Sequence, residues 1–176
     1  SIEQAGYWAQ LAAGMAIQHV GVVSFSRAEL LNRFDYGETS GKIMTLEQLR
    51  RSLPHQELPL VFTNGYFDDI SAGHLKFLHQ LKTLKGFNVV AINSDRSISQ
   101  QKGAAPLLNE RERALLLSAI ESINRVIIFD DIDASHLIRT LRPEMIVKGE
   151  HYRNQSLPEQ EAIDEVGASI EFFPEY

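Results

Sequence analysis

The chain has 176 residues, of which 44% are hydrophobic and 23% are charged, as expected for one globular domain or one domain with an appendage. A net charge of -6 argues against a sequence-independent nucleic-acid binder, and no apolar run is long enough to predict a membrane span. The absence of cysteine excludes disulfides and thiolate metal sites, and without a signal-peptide pattern we expect a cytoplasmic protein.

Residues 1–42 are predicted to form a helical appendage to the rest of the chain. Apolar side chains recur through 2–19 at helical spacing, and Ser26 begins a capping box that opens a second, short helix. Glycine and serine within 35–42 indicate a linker. We therefore place a domain boundary after residue 42, with a second domain over 43–176.

The second domain alternates short apolar runs with amphipathic stretches. The predicted strands occupy about 58–63, 88–93, 125–129, 144–148 and 169–173. The predicted helices occupy about 45–53, 73–84, 109–120, 134–141 and 158–166. Apolar strands separated by helices indicate a parallel sheet covered on both faces. The predicted fold class is therefore α/β, with a doubly wound, Rossmann-like sheet of five parallel strands.

The first predicted strand leads through a glycine-bearing loop into a helix, and this corner organises the domain. Asn64-Gly65 is a turn signal directly after the strand, and an apolar helical run begins after Gly73. Free N–H groups of a helix's first turn and the positive end of its dipole attract anions at such a corner. His74 is positioned to donate a hydrogen bond to a phosphate. Ser71 is either the helix N-cap or a second phosphate donor.

Polar residues also follow the other predicted strands at the points where those strands end. In a doubly wound sheet the carboxyl ends of the strands meet at one edge, and ligands bind there at the switch point. This rule selects four polar stretches, at 63–74, 93–102, 129–133 and 148–153. We therefore expect a single binding site at this edge of the sheet.

Two runs of residues follow the first predicted strand closely. They are Thr63-Asn64-Gly65-Tyr66-Phe67-Asp68 and Ser71-Ala72-Gly73-His74. Together they resemble the signature of the nucleotidyltransferase superfamily, which reads T/N-G-x-F-D and then H-x-G-H. The likeness is greatest to the adenylyltransferase domain of the bifunctional heptose kinase/adenylyltransferases. Ser71 stands where that family has its first histidine, whereas His74 matches the second.

The stretch after the second strand matches the same family. Asn93-Ser94-Asp95 matches its V-N-S-D and also has the pattern of a helix cap, and both roles can hold together. Lys102-Gly103 matches a Lys-Gly in the loop that follows. A lysine in that loop is expected to neutralise triphosphate charge.

Two further matches lie later in the chain. Arg113 falls on the arginine of the family's E-R-x-x-x-L helix, where it contacts phosphate or pairs with Glu110 or Glu112 on its own helix. The run from Val147 to Tyr152 resembles V-K-G-x-D-Y, with a histidine in place of the aspartate. A buried Lys148 at that point requires a ligand or a carboxylate partner, because an unpaired buried charge is costly.

The resemblance implies that AMP, or CMP, passes from a nucleoside triphosphate to a sugar phosphate such as heptose 1-phosphate, with release of pyrophosphate. It implies Mg²⁺ bound to ATP or CTP, and no metal site built from protein side chains. The residues expected at the reacting phosphates are His74, Ser71 and Lys102. The residues expected to bind the nucleotide are Thr63, Asn64, Gly65, Phe67, Asp68, Gly73, Asn93, Asp95, Arg113, Lys148 and Gly149.

A catalytically silent homologue that binds nucleotide and regulates or scaffolds a partner is the alternative function. Ser71, His151 and the absence of the family's Ser/Thr-rich motif after the fifth strand favour it. A flavodoxin-like binding module is a third possibility, which the Asn64–Asp68 run disfavours because flavin sites use Ser/Thr-rich phosphate loops.

Residues 1–42 resemble the last helices of a ribokinase-type sugar kinase. Their apolar side chains are too numerous for a free arm, and exposed apolar stripes mark interfaces. We therefore expect this segment to contact a second copy of the chain, giving a homo-oligomer, or a kinase-like partner. Packing on its own α/β domain is the alternative.

Overall fold

The computed structural model describes residues 41–174, so the helices predicted before residue 41 lie outside the described part of the chain. The helices over 41–174 are α1 (Leu46–Ser52), α2 (Ala72–Gln80), α3 (Asp95–Lys102), α4 (Glu110–Ser118), α5 (Ser135–Leu141) and α6 (Gln160–Val166). The strands are β1 (Leu60–Gly65), β2 (Phe87–Asn93), β3 (Arg125–Phe129), β4 (Met145–Gly149) and β5 (Ser169–Phe173). Short 3₁₀ segments follow α1, α2 and β4, at Leu53–His55, Leu81–Leu84 and Glu150–Tyr152. No helix within 41–174 is long and apolar enough to cross a membrane.

The five strands form one parallel sheet in the order β3-β2-β1-β4-β5. The first strand along the chain, β1, is the central strand of the sheet. Strands β2 and β3 follow on one side of β1, and β4 and β5 lie on the other side. The order therefore reverses between β1 and β4, and the carboxyl ends of these two strands form the switch point where doubly wound sheets bind ligands. The predicted α/β, Rossmann-like fold is confirmed.

The core consists of two apolar clusters, one on each face of the sheet. Side chains alternate between the faces along each strand, so Val61 and Val90 enter one cluster while Phe62 and Val89 enter the other. Helices α2 and α4 contribute to the first cluster, and α1, α5 and α6 contribute to the second. Because both faces are covered, β1 to β4 consist mainly of apolar residues, which is the pattern that made them recognisable. The edge strand β5 differs, because its Ser169 and Glu171 are exposed.

Helices α1, α2, α3 and α4 begin at residues whose side chains cap them, whereas α5 and α6 have no side-chain cap. Thr45 and Asn109 form capping boxes with Gln48 and Glu112, and each box satisfies two backbone N–H groups that the helix leaves unpaired. Helix α6 ends at Gly167, whose φ of 74° is the left-handed conformation that glycine adopts without strain.

Strand β1 extends two residues further than the sequence predicts. Asn64 and Gly65 are aligned with Ala91 and Ile92 of β2, so the turn predicted at Asn64-Gly65 is wrong. The chain turns instead at Phe67, which has a φ of 47°. The local turn signal is overridden because pairing with the neighbouring strand continues to Gly65.

Helix α3 lies where the sequence predicted a loop. The Ser94 side chain caps it by accepting a hydrogen bond from the Ser97 N–H, and Gly103 ends it with a φ of 72°. Only Ser97 and Ile98 of its residues are buried, so the apolar spacing that reveals a helix is missing. Lys102 is therefore the last residue of a helix, and its predicted position in a loop is wrong.

Replacing Gly86 by alanine is expected to lower the free energy of unfolding by about 1–3 kcal/mol, because the close approach of the chain before β2 leaves no room for a side chain. An added Cβ would lie 2.4 Å from Val61 Cγ2 and 2.9 Å from the Pro59 carbonyl oxygen. Urea denaturation measures the change. Gly41→Ala is the control, because its Cβ meets no atom within 4 Å and we expect a change below about 1 kcal/mol. Equal effects of the two substitutions would contradict the packing argument.

Candidate active site

A cavity of about 350 Å³ opens at the carboxyl ends of β1 and β4. Its volume is within the range of small-molecule sites, and it lies at the switch point of the sheet. Nine of the residues predicted for the site line it: Thr63, Asn64, Gly65, Phe67, Asp68, His74, Lys102, Lys148 and Gly149. The sheet therefore brings most of the predicted set together around one space.

The other predicted residues lie beside or behind this cavity. Asn93 lines a second, smaller cavity of about 150 Å³ that shares a wall with the first. Ser71, Gly73, Asp95 and Arg113 line neither of these two cavities. Ser71 and Arg113 nevertheless contact residues that do line the larger cavity, His74 and Tyr66.

His74 has one ring nitrogen engaged by the protein. Its Nδ1 accepts a hydrogen bond from the Ser71 backbone N–H at 3.2 Å, and the Ser71 Oγ lies 3.1 Å from the same nitrogen. We assign the proton of the neutral ring to Nε2, since Nδ1 acts as an acceptor. The ring packs against Phe67, with centroids 5.6 Å apart. His74 is therefore held as a hydrogen-bond donor in the wall of the cavity.

Ser71 is the N-cap of helix α2. Its Oγ accepts a hydrogen bond from the His74 N–H at 3.4 Å, and the His74 side chain returns to the Ser71 N–H, which completes a capping box. The prediction that Ser71 is the helix N-cap is thus confirmed. A contact between Ser71 and the reacting phosphates stays a prediction.

Asp68 and Lys102 form an ion pair at the cavity wall. Lys102 Nζ lies 3.3 Å from Asp68 Oδ2 and 4.7 Å from the centre of the Tyr66 ring. Asp68 Oδ1 accepts a hydrogen bond from the Leu107 N–H at 2.7 Å. This backbone hydrogen bond, with a smaller contribution from Lys102, lowers the pKa of Asp68. The carboxylate therefore remains ionised and fixes the segment after α3 to the site.

Lys148 is buried at the end of β4 and has two protein partners. Its Nζ donates to Asn64 Oδ1 at 2.8 Å and to Glu159 Oε1 at 3.1 Å, and Asn64 Nδ2 donates to the same Oε1 at 2.9 Å. Burial lowers the pKa of Lys148, and the Glu159 carboxylate opposes this shift. The predicted need for a carboxylate partner is confirmed. The sequence did not identify Glu159 as that partner.

Arg113 is fully buried beneath the cavity and makes four hydrogen bonds. Nε donates to the Leu108 carbonyl at 3.0 Å, and Nη1 donates to the Tyr66 carbonyl at 2.6 Å. Nη2 donates to the Asn93 carbonyl at 2.9 Å and to Asp95 Oδ1 at 2.7 Å. The guanidinium therefore connects α4 to the end of β2 and to the turn after β1.

The expected pairing of Arg113 with a glutamate of its own helix is wrong. Glu112 accepts from the Asn109 N–H in the helix cap, and Glu110 accepts from the Asp95 N–H at 2.9 Å. Arg113 points away from both toward the sheet. Its predicted contact with phosphate stays a prediction, and in the structure its donors bind three backbone carbonyls and the Asp95 carboxylate.

Several residues that line the cavity were not assigned to the site from the sequence. They are Tyr66, Asp69, Phe77, His151 and Tyr152. Tyr66 donates its hydroxyl proton to Gln101 Oε1 at 2.7 Å, and burial raises its pKa. The motifs contained Tyr66, His151 and Tyr152, so their positions were visible, but no local signal assigned a contact to them. Within 41–174 no group of three or more acidic or histidine side chains is arranged to hold a metal ion.

The family model described as Cytidylyltransferase-like matches residues 62–174 of the chain. The matched stretch contains the whole set of site residues described above.

Curated relatives of the chain include proteins named Bifunctional protein HldE. The one from Geobacter sulfurreducens is 35% identical over 169 residues, which are 93% of this chain and 34% of the relative. The one from Helicobacter pylori (strain Shi470) is 33% identical over 158 residues, which are 89% of this chain and 34% of the relative. The chain thus spans about a third of the length of these relatives.

Solved structures with the same fold include two with low sequence identity. A lipopolysaccharide core biosynthesis protein from Thermoplasma volcanium has a TM-score of 0.54 at 24% identity, covering 68% of this chain and 97% of that one. Pantothenate synthetase from Thermus thermophilus has a TM-score of 0.50 at 16% identity, covering 76% of this chain and 61% of that one. At these identities the likeness establishes the fold alone.

Replacing Arg113 by lysine is expected to lower the free energy of unfolding by about 3 kcal/mol and to weaken ligand binding at the cavity. Lysine cannot reproduce the fork of donors, so buried carbonyls lose their partners. Urea denaturation measures the change. Arg111→Lys, at an exposed position of the same helix, is the control and should stay within about 0.5 kcal/mol. A wild-type stability for Arg113→Lys would mean that these hydrogen bonds are replaceable.

Proposed function

We propose that this chain, which belongs to the cytidylyltransferase-like family, is a nucleotidyltransferase that transfers AMP or CMP from a nucleoside triphosphate to a sugar phosphate. The observation that carries the proposal is the wall of the larger cavity. There the His74 donor in the first turn of α2 and the Lys102 ammonium line one space. This arrangement suits a phosphate chain, because helix N-termini and ammonium groups both stabilise phosphate charge.

The proposed reaction is a single displacement at the α-phosphorus. An oxygen of the acceptor phosphate forms a bond to the α-phosphorus while the bond from that phosphorus to the oxygen leading to the β-phosphorus breaks. The electron pair of the broken bond leaves with pyrophosphate. The attacking oxygen is already anionic at neutral pH, so the protein needs to supply position and charge stabilisation rather than a general base.

Each cavity residue has a proposed part in this step. The His74 Nε2–H donates to a phosphate oxygen, and Lys102 exchanges its exposed contact with Asp68 for the triphosphate. The α2 N-terminus adds backbone N–H donors to the same region. Gly149, at the end of β4, offers backbone to the base, beside the aromatic ring of Tyr152.

ATP with heptose 1-phosphate is the substrate pair that we put first. The likeness to proteins named Bifunctional protein HldE supports it, together with the resemblance of the motifs to heptose adenylyltransferases. CTP with another phosphate or alcohol acceptor is second, in line with the family name.

Mg²⁺ is the proposed companion of the triphosphate. The cavity offers Asp68 and Asp69 but no larger acidic cluster within 41–174, which fits an ion held mainly by phosphate oxygens and water. Such an ion neutralises phosphate charge. The partner expected through residues 1–42 remains a prediction, because residues 1–40 lie outside the described part of the chain.

A silent homologue that binds nucleotide for a regulatory or scaffold role is the second candidate function. One observation favours it: the Ser71 hydroxyl is engaged in the α2 cap and Ser71 does not line the cavity. The family pattern places a histidine there, with a longer reach into the phosphate region.

Pyrophosphate release, measured with each of the four nucleoside triphosphates and with heptose, mannose and glucose 1-phosphates, tests the proposed function. We expect release with ATP or CTP that depends on the sugar phosphate and on Mg²⁺. His74→Ala should reduce kcat/KM by about 10- to 150-fold, because a donor to a charged group contributes about 1.5–3 kcal/mol. His79→Ala, at an exposed position of the same helix, is the control. Nucleotide binding without turnover by any acceptor would support the silent homologue instead.

Ser71→His is expected to raise kcat, because it adds a second phosphate donor beside His74. Loss of one preorganised donor of this kind reduces rates by about 10²–10³-fold, so its restoration can produce a gain of that order. Ser71→Ala is the matched control, since it removes the cap without adding a donor. Single-turnover kinetics, measured well below the melting temperature of each variant, gives the transfer rate of folded protein. The lower stability caused by loss of the cap then does not affect the measured rate. A rate for Ser71→His no higher than that of Ser71→Ala would refute the second-donor argument.

A further inference from the structure

Lys102 is the last residue of α3, and its side chain is 44% exposed. An exposed lysine side chain normally samples many rotamers, and a ligand that binds it must restrict them at a cost in entropy. Two contacts within the protein restrict Lys102. Its Nζ lies 3.3 Å from Asp68 Oδ2 and 4.7 Å from the centre of the Tyr66 ring. The protein therefore holds the ammonium at the wall of the larger cavity.

The contacts of Lys102 with Asp68 and with Tyr66 differ in how a triphosphate affects them. A phosphate oxygen and the Asp68 carboxylate compete for the same N–H donors of the ammonium, so the proposed reaction replaces one with the other. The negative face of an aromatic ring attracts a cation through its quadrupole while the N–H groups of that cation bind oxygen. Lys102 can therefore keep its contact with Tyr66 when it leaves Asp68.

Tyr66 is fixed both at its backbone and at its hydroxyl. Its carbonyl accepts a hydrogen bond from Arg113 Nη1 at 2.6 Å. Its hydroxyl donates to Gln101 Oε1 at 2.7 Å. Gln101 Nε2 donates in turn to Ser97 Oγ at 3.2 Å and to the Ile132 carbonyl at 3.0 Å. The Tyr66 ring therefore has a defined position beside the end of α3.

The side chain of Tyr66 contacts two consecutive residues of α3. Its ring lies under the Lys102 ammonium, and its hydroxyl binds Gln101. The signature T/N-G-x-F-D leaves this position unspecified, so the motif assigned it no part in the site. A phenylalanine would keep the ring contact alone, and a leucine would keep neither contact.

We propose that Tyr66 is a positioning residue that holds the Lys102 ammonium toward the phosphates of the nucleoside triphosphate. This inference rests on the proposed function for the identity of the ligand. Tyr66 acts through Lys102 and needs no contact of its own with the triphosphate. Loss of its ring should therefore weaken triphosphate binding only while Lys102 is present.

A double-mutant cycle of Tyr66→Leu and Lys102→Ala, measured by calorimetry, tests the proposal. The probes are non-hydrolysable analogues of ATP and CTP in the presence of Mg²⁺. Lys102→Ala should weaken triphosphate binding about tenfold, because it removes a donor to a charged group. Tyr66→Leu should weaken binding about two- to fivefold when Lys102 is present, as expected for an exposed cation–π contact. In the Lys102→Ala background the same substitution should change the affinity by less than about 1.5-fold.

Tyr66→Phe is the matched control for the ring. It removes only the hydroxyl that binds Gln101, whereas the aromatic face remains and Arg113 still fixes the backbone. We expect its triphosphate affinity to stay within about 1.5-fold of the wild-type value. A loss as large as that of Tyr66→Leu would contradict the role of the ring.

Other outcomes also overturn the proposal. Equal weakening by Tyr66→Leu with and without Lys102 would mean that Tyr66 only shapes the cavity. If Tyr66→Leu does not fold, a crystal structure of the wild type with the bound analogue decides. Lys102 Nζ is then expected at a phosphate oxygen and within about 6 Å of the centre of the Tyr66 ring, and an ammonium that has left the ring contradicts the proposal.

The same measurements separate this inference from the proposed function. Triphosphate binding with the expected coupling but without pyrophosphate release refutes the proposed transfer and leaves the role of Tyr66 standing. Pyrophosphate release without the coupling refutes the role of Tyr66 alone. A wild type that binds no triphosphate refutes both, because Lys102 then has no phosphate to meet.

Discussion

The site depends first on the buried guanidinium of Arg113. The chain leaves β1 and β2 at the same edge of the sheet, where Tyr66 follows β1 and Asn93 ends β2. Arg113 supplies donors to both carbonyls and to Asp95. Buried carbonyls without donors would favour a different path for the chain. The guanidinium thus sets the direction in which the turn after β1 leaves the sheet, and with it the shape of the cavity.

A second constraint comes from Lys148, which supplies positive charge where the sheet is otherwise apolar. An ammonium at this depth is stable only beside an anion, and Glu159 provides one. Asn64 joins the pair from the adjacent strand, so the group links β1, β4 and the start of α6. Asn64 and Lys148 belong to the wall that the two cavities share, and Glu159 lines the smaller cavity. The interaction that offsets the cost of burying Lys148 therefore also shapes the boundary between the two spaces.

The sequence predicted the features that depend on local signals. Continuous apolar runs located all five strands, and the glycine-bearing corner before His74 located the site. The sequence did not predict features that depend on contacts between distant residues. Asn64-Gly65 resembled a turn, but pairing with β2 extends the strand through both residues. Helix α3 lacks an apolar stripe because few of its residues are buried. Glu159 was missed although Lys148 is only 11 positions away, because a 3₁₀ turn and a loop, rather than a helix or strand period, bring the two side chains together. A buried lysine predicted that an anion exists, but not which one.

The contact between Asn64 and Lys148 joins residues 84 positions apart. Neither cavity can form until β4 has paired with β1, which requires closure of a loop that includes β2, β3 and four helices. Parallel pairing over such a separation is an entropically expensive and slow step of folding. A partly folded chain with β1, β2 and β3 assembled would have the anion-binding corner but not its opposite wall. Ligand binding to the complete site therefore reports on the last long-range pairing of the sheet, and a ligand that bridges the two walls stabilises that pairing.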